Sequence, residues 1–189
     1  MGSDPLITIL DANVLYPFFQ RDLLLNLGYE ELYIPKWTDE IEQEWVEHLK
    51  MNLPDISEKL QRTVLLMNRA FPDAKVTGYQ PHIEKLSLPD KNDRHVLASA
   101  IECEAEIIVT HNLSDFPDHE LSKYNIRALD PDAFVMELIE IDIRKVWKAI
   151  EEMVKIRKKP PVSVIELVQQ ISDRGMKMTA RRLKKDVEL

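Results

Sequence analysis

Acidic residues in this chain recur where a fold would place them at its working end. Asp11 follows the apolar, β-branched run Leu6–Leu10 (LITIL) directly, and Asn13 stands two residues on. Asp93 lies three residues after Asp90, where Val96, Leu97, Ala100 and Ile101 begin a helical spacing. A further apolar run, Ile107–Thr110, is followed by His111, Asn112, Ser114 and Asp115. Glu44 borders the stripe made by Ile41, Trp45 and Leu49; Glu42 borders its other side, and periodicity does not choose between them. Each residue also has an ordinary reading as a cap, a turn residue or solvated surface. If carboxylates converge from separate elements, however, they supply the oxygen ligands that hard cations such as Mg²⁺ or Mn²⁺ require. Such an ion lowers the pKa of water, orients the nucleophile and stabilises the leaving oxygen in phosphodiester cleavage.

The elements that must position these residues can be read along the chain. Strands are expected at Leu6–Leu10, Leu32–Ile34, Ile107–Thr110 and Ile126–Leu129. Between them, helices are expected from Pro17 to Leu27, ending near Gly28; from the cap Thr38 to Leu49; from Pro54 to Phe71; and from the cap Asp90 to Glu104. The stretch 76–83 reads as irregular. Asp130–Pro131 starts a long helix with apolar positions Val135, Leu138, Ile139, Val146, Trp147, Ile150 and Val154, stopped by Pro160 and Pro161. Ser163 with Glu166 is a capping box for another helix that Gly175 ends, and a short basic helix is expected over Thr179–Lys185. Strands alternating with helices imply an α/β fold with a parallel sheet covered on both faces. In such sheets ligands bind beyond the carboxyl ends of the strands, where the acids stand.

At 189 residues the chain is one domain, or one with a small appendage. Its four glycines, Gly2, Gly28, Gly78 and Gly175, are too scattered for a phosphate-cradling loop. A single cysteine excludes an internal disulfide and a multi-cysteine zinc site and suits a reducing, cytoplasmic setting; Cys103 itself is expected as a small core residue. No apolar run approaches a membrane span, and no signal-like segment opens the chain. The net charge of −8 argues against a plain electrostatic nucleic-acid binder. That charge is divided, however: −15 over residues 1–143 and +9 over residues 144–185. The split reads either as solvated helix faces or as a metal-holding body beside a polyanion-attracting tail.

The segments ILDANVLYP, WTDEIEQEWVEHL and DKNDRHVLASAIECEAEIIVTHNLSDFP resemble, in order and spacing, the PIN-domain nucleases, and among them VapC-type toxins of bacterial toxin–antitoxin pairs. The resemblance covers about residues 6–130; the tail PPVSVIELVQQISDRGMKMTARRLKK is more weakly similar to the helical extension of some of these proteins. It implies a PIN-like three-layer α/β/α fold with a small parallel sheet over 1–130 and a helical extension over 131–189. It also implies a metal-dependent endoribonuclease, the toxin of a type II pair, using Mg²⁺ or Mn²⁺. On this resemblance Asp11, Glu44 and Asp93 match three catalytic, metal-holding acids, and Asn13 matches a small polar residue near the first. Where many relatives have a fourth Asp this chain has Asn112, and a variant of the motif moves the acid to Asp115; Asp90 is an auxiliary candidate. The implied partners are RNA, a cognate antitoxin and a second copy of the chain; no membrane is implied.

Other functional residue types carry less. Arg94 and His95 open the helix that carries Asp93; His95 reads as a surface or capping residue, with contact to phosphate or orientation of a carboxylate as its other reading, His111 similarly, and Trp37 and Trp45 read as core rather than base-stacking platforms. Two rival functions are a catalytically silent PIN-like scaffold, for which Asn112 leaves room, and a phosphotransferase with Asp11 as nucleophile. The second expects an Asp two residues on, where this chain has Asn13.

Overall fold

A computed structural model describes residues 5–187; residues 1–4 and 188–189, the outer ends of the two expected units, lie outside that range. The chain opens with strand β1 (Leu6–Leu10), the one-turn helix α1 (Ala12–Leu15), helix α2 (Phe18–Tyr29), strand β2 (Tyr33–Lys36) and helix α3 (Asp39–Asn52). A 3₁₀ turn at Pro54–Ile56 leads into α4 (Ser57–Ala70), followed by the short α5 (Gln80–Ile83), α6 (Arg94–Glu102) and strand β3 (Ile107–Val109). After a 3₁₀ turn at Leu113–Asp115 come α7 (Asp118–Leu121), strand β4 (Arg127–Leu129), and helices α8 (Pro131–Ile156), α9 (Val164–Asp173) and α10 (Lys177–Val187).

The strands form a four-stranded, all-parallel sheet in the order β2-β1-β3-β4. Ile107, Ile108 and Val109 are all fully buried although successive strand residues point to opposite faces, so helices cover both faces of the sheet. This is the mixed α/β architecture expected, with a helical C-terminal part. The chain leaves β1 for β2 on one side and returns to β3 on the other. The order therefore reverses between β1 and β3, and a crevice opens beyond their carboxyl ends.

Several elements differ from the sequence expectation for identifiable reasons. Helix α2 does not stop at Gly28 but runs through it to Tyr29. The glycine is there for close packing: a Cβ would sit 3.1 Å from Pro35 Cγ. Strand β2 includes Pro35, which an edge strand tolerates because its missing N–H leaves no internal partner unsatisfied. Beyond it Trp37 donates to the Ala74 carbonyl and accepts from Val76 N–H. Asp90 does not cap α6; it closes a turn onto Asn92 N–H at 2.8 Å, and the helix starts at Arg94 with Asp93 at its N-cap position, making no side-chain cap bond. The long helix α8 is broken at Asp142 (φ −156°, ψ 94°), whose carboxylate accepts from Arg144 N–H and so recaps the second segment. The last helix begins at Lys177, earlier than expected. Cys103 lies at the C-cap of α6, half-buried against the core rather than inside it.

Other expectations hold. Thr38 caps α3 by accepting from Ile41 N–H, the Ser163–Glu166 capping box is complete, and Gly175 takes a positive φ of 92° after α9. Trp37 and Trp45 are fully buried, which removes them as base-stacking platforms. Residue 131, where the two expected units meet, is the first residue of α8, which Asp130 caps. That boundary is not a gap in the packing: Phe134 meets Tyr33 edge to face at 4.9 Å, and α8 packs along α2.

Asp132 joins the C-terminal helices to this frame. It is 8% exposed, and its two carboxylate oxygens accept from Met178 and Thr179 N–H at 2.8 Å each, so a residue of α8 caps α10 from 46 positions away. Capping residues contribute about 1 kcal/mol each, and two charge-assisted bonds here make about 2 kcal/mol a reasonable scale. Asp132→Ala should therefore lower the thermal midpoint by about 4–8 °C, and Asp132→Asn, keeping one acceptor, by about half as much, as calorimetry would read.

Candidate active site

Asp11 leaves β1 at the crevice and is 5% exposed. The ladder continues through its own N–H to the Val109 carbonyl, which fixes the carboxylate beside the end of β3. Asp11 Oδ1 caps α1 by accepting from Ala12 N–H at 2.6 Å. Oδ2 accepts from Asn13 Nδ2 and from Thr110 Oγ1, both at 2.7 Å. Thr110 Oγ1 in turn accepts from Asn112 N–H at 3.0 Å, and Asn13 Oδ1 accepts from His111 N–H at 3.0 Å. Asn13 and Thr110 thus sew the loop after β3 to the loop after β1. Below them, Arg21 donates to the Leu15 carbonyl at the end of α1 and lies over the Trp45 ring at 4.4 Å; burial lowers its guanidinium to about 10. A buried cation at the helix C-terminus complements its dipole and holds the turn that carries Asp11.

The other acids arrive from three elements. Burial raises the Asp93 carboxyl to about 6, helped by the negative charges of Asp11, Asp90 and Asp115, while His95 pulls the other way. Asp115 ends the 3₁₀ turn after β3, its N–H held by the Asn112 carbonyl; the Asn112 side chain is exposed. Burial also raises Asp11, and Glu44 adds to that shift. Asp11 is thus within electrostatic reach of Glu44, and Asp93 within reach of Asp11, Asp90 and Asp115. Among the described residues no Lys or Arg lies within 4.0 Å of Asp11, Glu44, Asp93 or Asp115. Glu42 is occupied elsewhere: it binds Lys75 at 2.9 Å and accepts from Asn68 and Trp37. Of the two acids that sequence periodicity could not separate, Glu44 faces the crevice group and Glu42 holds the structure together.

His95 falls on the carboxylate-orienting side of its two readings. It is not a surface or capping residue but 5% exposed on α6, with Nε2 3.1 Å from Glu44 Oε1 and Nδ1 3.7 Å from Glu40 Oε2. Burial disfavours its charged form, yet the Glu44 hydrogen bond and the charges of Glu44, Glu40 and Asp11 leave its pKa raised. Glu40 also accepts from Tyr79 Oη at 3.0 Å. One signal for Glu40 was present in the sequence, since it lies one helical turn before Glu44 on the same face of α3. His111 is exposed at the crevice rim, its Nε2 3.1 Å from the Gln20 carboxamide, and burial of the ring lowers its pKa.

The donor set fits a hard divalent cation. Asp11 and Asp93 are raised by burial and by neighbouring carboxylates, and among the described residues no Lys or Arg neutralises them, a repulsion that a bound cation relieves. Glu40, Glu44 and His95 each also offer a ligand atom, all within 4.8 Å of one another.

A mixed α/β frame with a four-stranded parallel sheet and a helical C-terminal part is thus the architecture that the resemblance implied. Residues 131–185 match a family model described as the VapC50 C-terminal domain. A Mycobacterium tuberculosis protein named "Putative ribonuclease VapC50" is 36% identical over 89 residues, covering 47% of this chain and 53% of that protein. The chain therefore spans about half the length of the curated relative it matches. No solved structure matches it. The two matches support the resemblance to VapC-type toxin ribonucleases.

The Asp93 shift has a measurable consequence. A carboxyl raised from 3.8 to about 6 binds its proton more tightly in the folded state, so metal-free stability falls as pH climbs from about 4 through 6. Asp93 is partly exposed, so the effect is screened. Asp93→Asn should raise the metal-free thermal midpoint by about 2 °C at pH 8 and leave it unchanged near pH 4.

Proposed function

We propose that this protein is a divalent-metal-dependent endoribonuclease acting as the toxin of a type II toxin–antitoxin pair. The observation that carries the reading is the pair Asp11 and Asp93 at the β1/β3 switch point, both raised by burial and by neighbouring carboxylates and neither with a Lys or Arg partner among the described residues. Asp11, Glu44, Asp93 and Asp115 are the residues that would hold Mg²⁺ or Mn²⁺, with Asn13, Asn112 and Asp90 as auxiliaries. A bound divalent ion supplies charge neutralisation for phosphate and activation of water for hydrolysis of an RNA phosphodiester.

The chain's own groups do the positioning. Asn13 and Thr110 fix one oxygen of Asp11, leaving the carboxylate in one orientation. His95 holds Glu44, whose side chain is otherwise 40% exposed and free to swing outward. Asp115, in the 3₁₀ turn after β3 and within electrostatic reach of Asp93, would take the place of an acid at the Asn112 position. The nuclease unit is residues 1–130 and the helical extension residues 131–189. RNA as substrate, a small antitoxin as inhibitor, a homodimer and a cytoplasmic setting belong to the same proposal. No helix of the described residues is long and apolar enough to cross a membrane.

The direct test is cleavage of RNA with Mg²⁺ or Mn²⁺ by the wild-type chain and Asp11→Asn. The expected loss is at least about 100-fold, with an unchanged circular dichroism spectrum. Cleavage by Asp11→Asn at the wild-type rate overturns the assignment. A wild-type chain that neither cleaves RNA nor binds Mn²⁺ in calorimetry is the silent scaffold instead.

A further inference from the structure

Much of the positive charge after residue 143 is engaged inside the molecule. Lys148 pairs with Glu30 at 2.7 Å, Arg157 reaches Asp22 at 3.9 Å, and Lys145 donates to the Glu31 carbonyl at 3.2 Å. Arg157 and Arg174 lie over the Phe19 ring at 5.0 and 4.3 Å. Arg144, Lys155 and Arg182 are tied to Asp142, Glu152 and Asp186. The contacts to α2 and its flanks tie the C-terminal helices to the acidic body, and the last three pairs are local to their own helices.

A second set is not used in this way. Lys177, Arg181, Lys184 and Lys185 fall at i, i+4, i+7 and i+8 along α10, one stripe of a helix with 3.6 residues per turn. With Ser172 and Ala180 they line a groove of about 360 Å³ between α9 and α10. Among the described residues Lys177, Arg181 and Lys185 are exposed and have no acid within 4.0 Å, while Lys184 meets only the neutral Gln169. Nearby acids face their own partners: Asp173 accepts from Gln169, and Asp186 from Arg182 and Trp147. Met176, Thr179, Ala180 and Leu183 bury the inner side of α10, and Asp132 pins its first turn. The four cations are therefore carried on a helix anchored to the first turn of α8, which begins directly after β4.

We infer that the α9–α10 groove is a seat for the phosphate backbone of an RNA strand, which it holds while the carboxylate crevice acts on it. The choice of RNA rests on the nuclease reading above; the groove's charge and shape stand without it. An acidic body repels a polyanion over most of its surface, so a strand needs a positive foothold to dwell there. Cations on a groove wall contact phosphates without reading bases, so the seat confers residence rather than sequence choice.

The test uses the full chain carrying Asp11→Asn in EDTA, with a fluorescein-labelled oligouridine of about 20 nucleotides as probe. Its affinity is measured by anisotropy across a salt series. The comparison is the same chain with Lys177→Gln, Arg181→Gln and Lys185→Gln, and a control with Lys177→Arg and Lys185→Arg. Each lost phosphate contact flattens log K against log salt by about 0.7 on a single strand, so the triple variant should lose about 2 units of slope and bind at least about 10-fold more weakly near 0.1 M salt. The arginine control should bind like the parent. An unchanged slope and affinity in a folded triple variant overturns the proposal. So does a polyglutamate of equal charge that binds the parent as tightly as the RNA, since the groove would then be a seat for an acidic protein segment. RNA bound through the groove but never cleaved by the Asp11 chain leaves the groove standing and removes the nuclease reading. Cleavage with unchanged KM in a chain carrying only the three groove substitutions does the reverse.

Discussion

The working end of this molecule depends on one buried carboxylate held between two strand ends. Asp11 caps α1, accepts from Thr110 across the β1–β3 junction and accepts from Asn13, while its own N–H extends the ladder to Val109. Its position is therefore over-determined, and the loops on either side inherit it: His111 and Asn112 N–H are both bound to groups that touch Asp11. Bringing an ionised group into this place raises its pKa, and the hydrogen bonds offset only part of that. The site holds a standing electrostatic tension, centred where the sheet changes direction, that a counter-charge would relieve.

Much of this was legible from sequence because it is local. LITIL followed by Asp, IIVT followed by a polar loop, Thr38 before α3 and Ser163 with Glu166 each declare themselves within a few residues. What escaped is long-range. His95 looked like a helix-start surface residue because nothing in its neighbours shows that α3 lies over it with Glu40 and Glu44. Gly28 looked like a helix stop, whereas its function is to let Pro35 approach. Glu42 and Glu44 are equivalent in periodicity, and only Lys75, Asn68 and Trp37 on one side and His95 on the other separate them. The break at Asp142 was likewise hidden, since the apolar spacing continues across it and the local signal is only the Asp–Arg capping pair.

The division of charge along the chain takes on structural meaning. Part of the positive tail neutralises the negative body across the α2–α8 interface, as Lys148 with Glu30 and Arg157 with Asp22 show, so the two regions are partly each other's counter-ions. The surplus is concentrated on α10. The net value of the whole chain averages over a bound fraction and a presented fraction, and only the latter is available to a partner.

The edge of the sheet carries a consequence of its own. Pro35 sits in the middle of β2 with no N–H to offer, and just beyond it Trp37 commits both its backbone groups to Ala74 and Val76. A flat open edge invites another chain to join by strand addition, the first step toward runaway stacking. Here that growth is interrupted at a single residue. The β2 flank of the sheet can therefore stay short and open without itself becoming a template for aggregation.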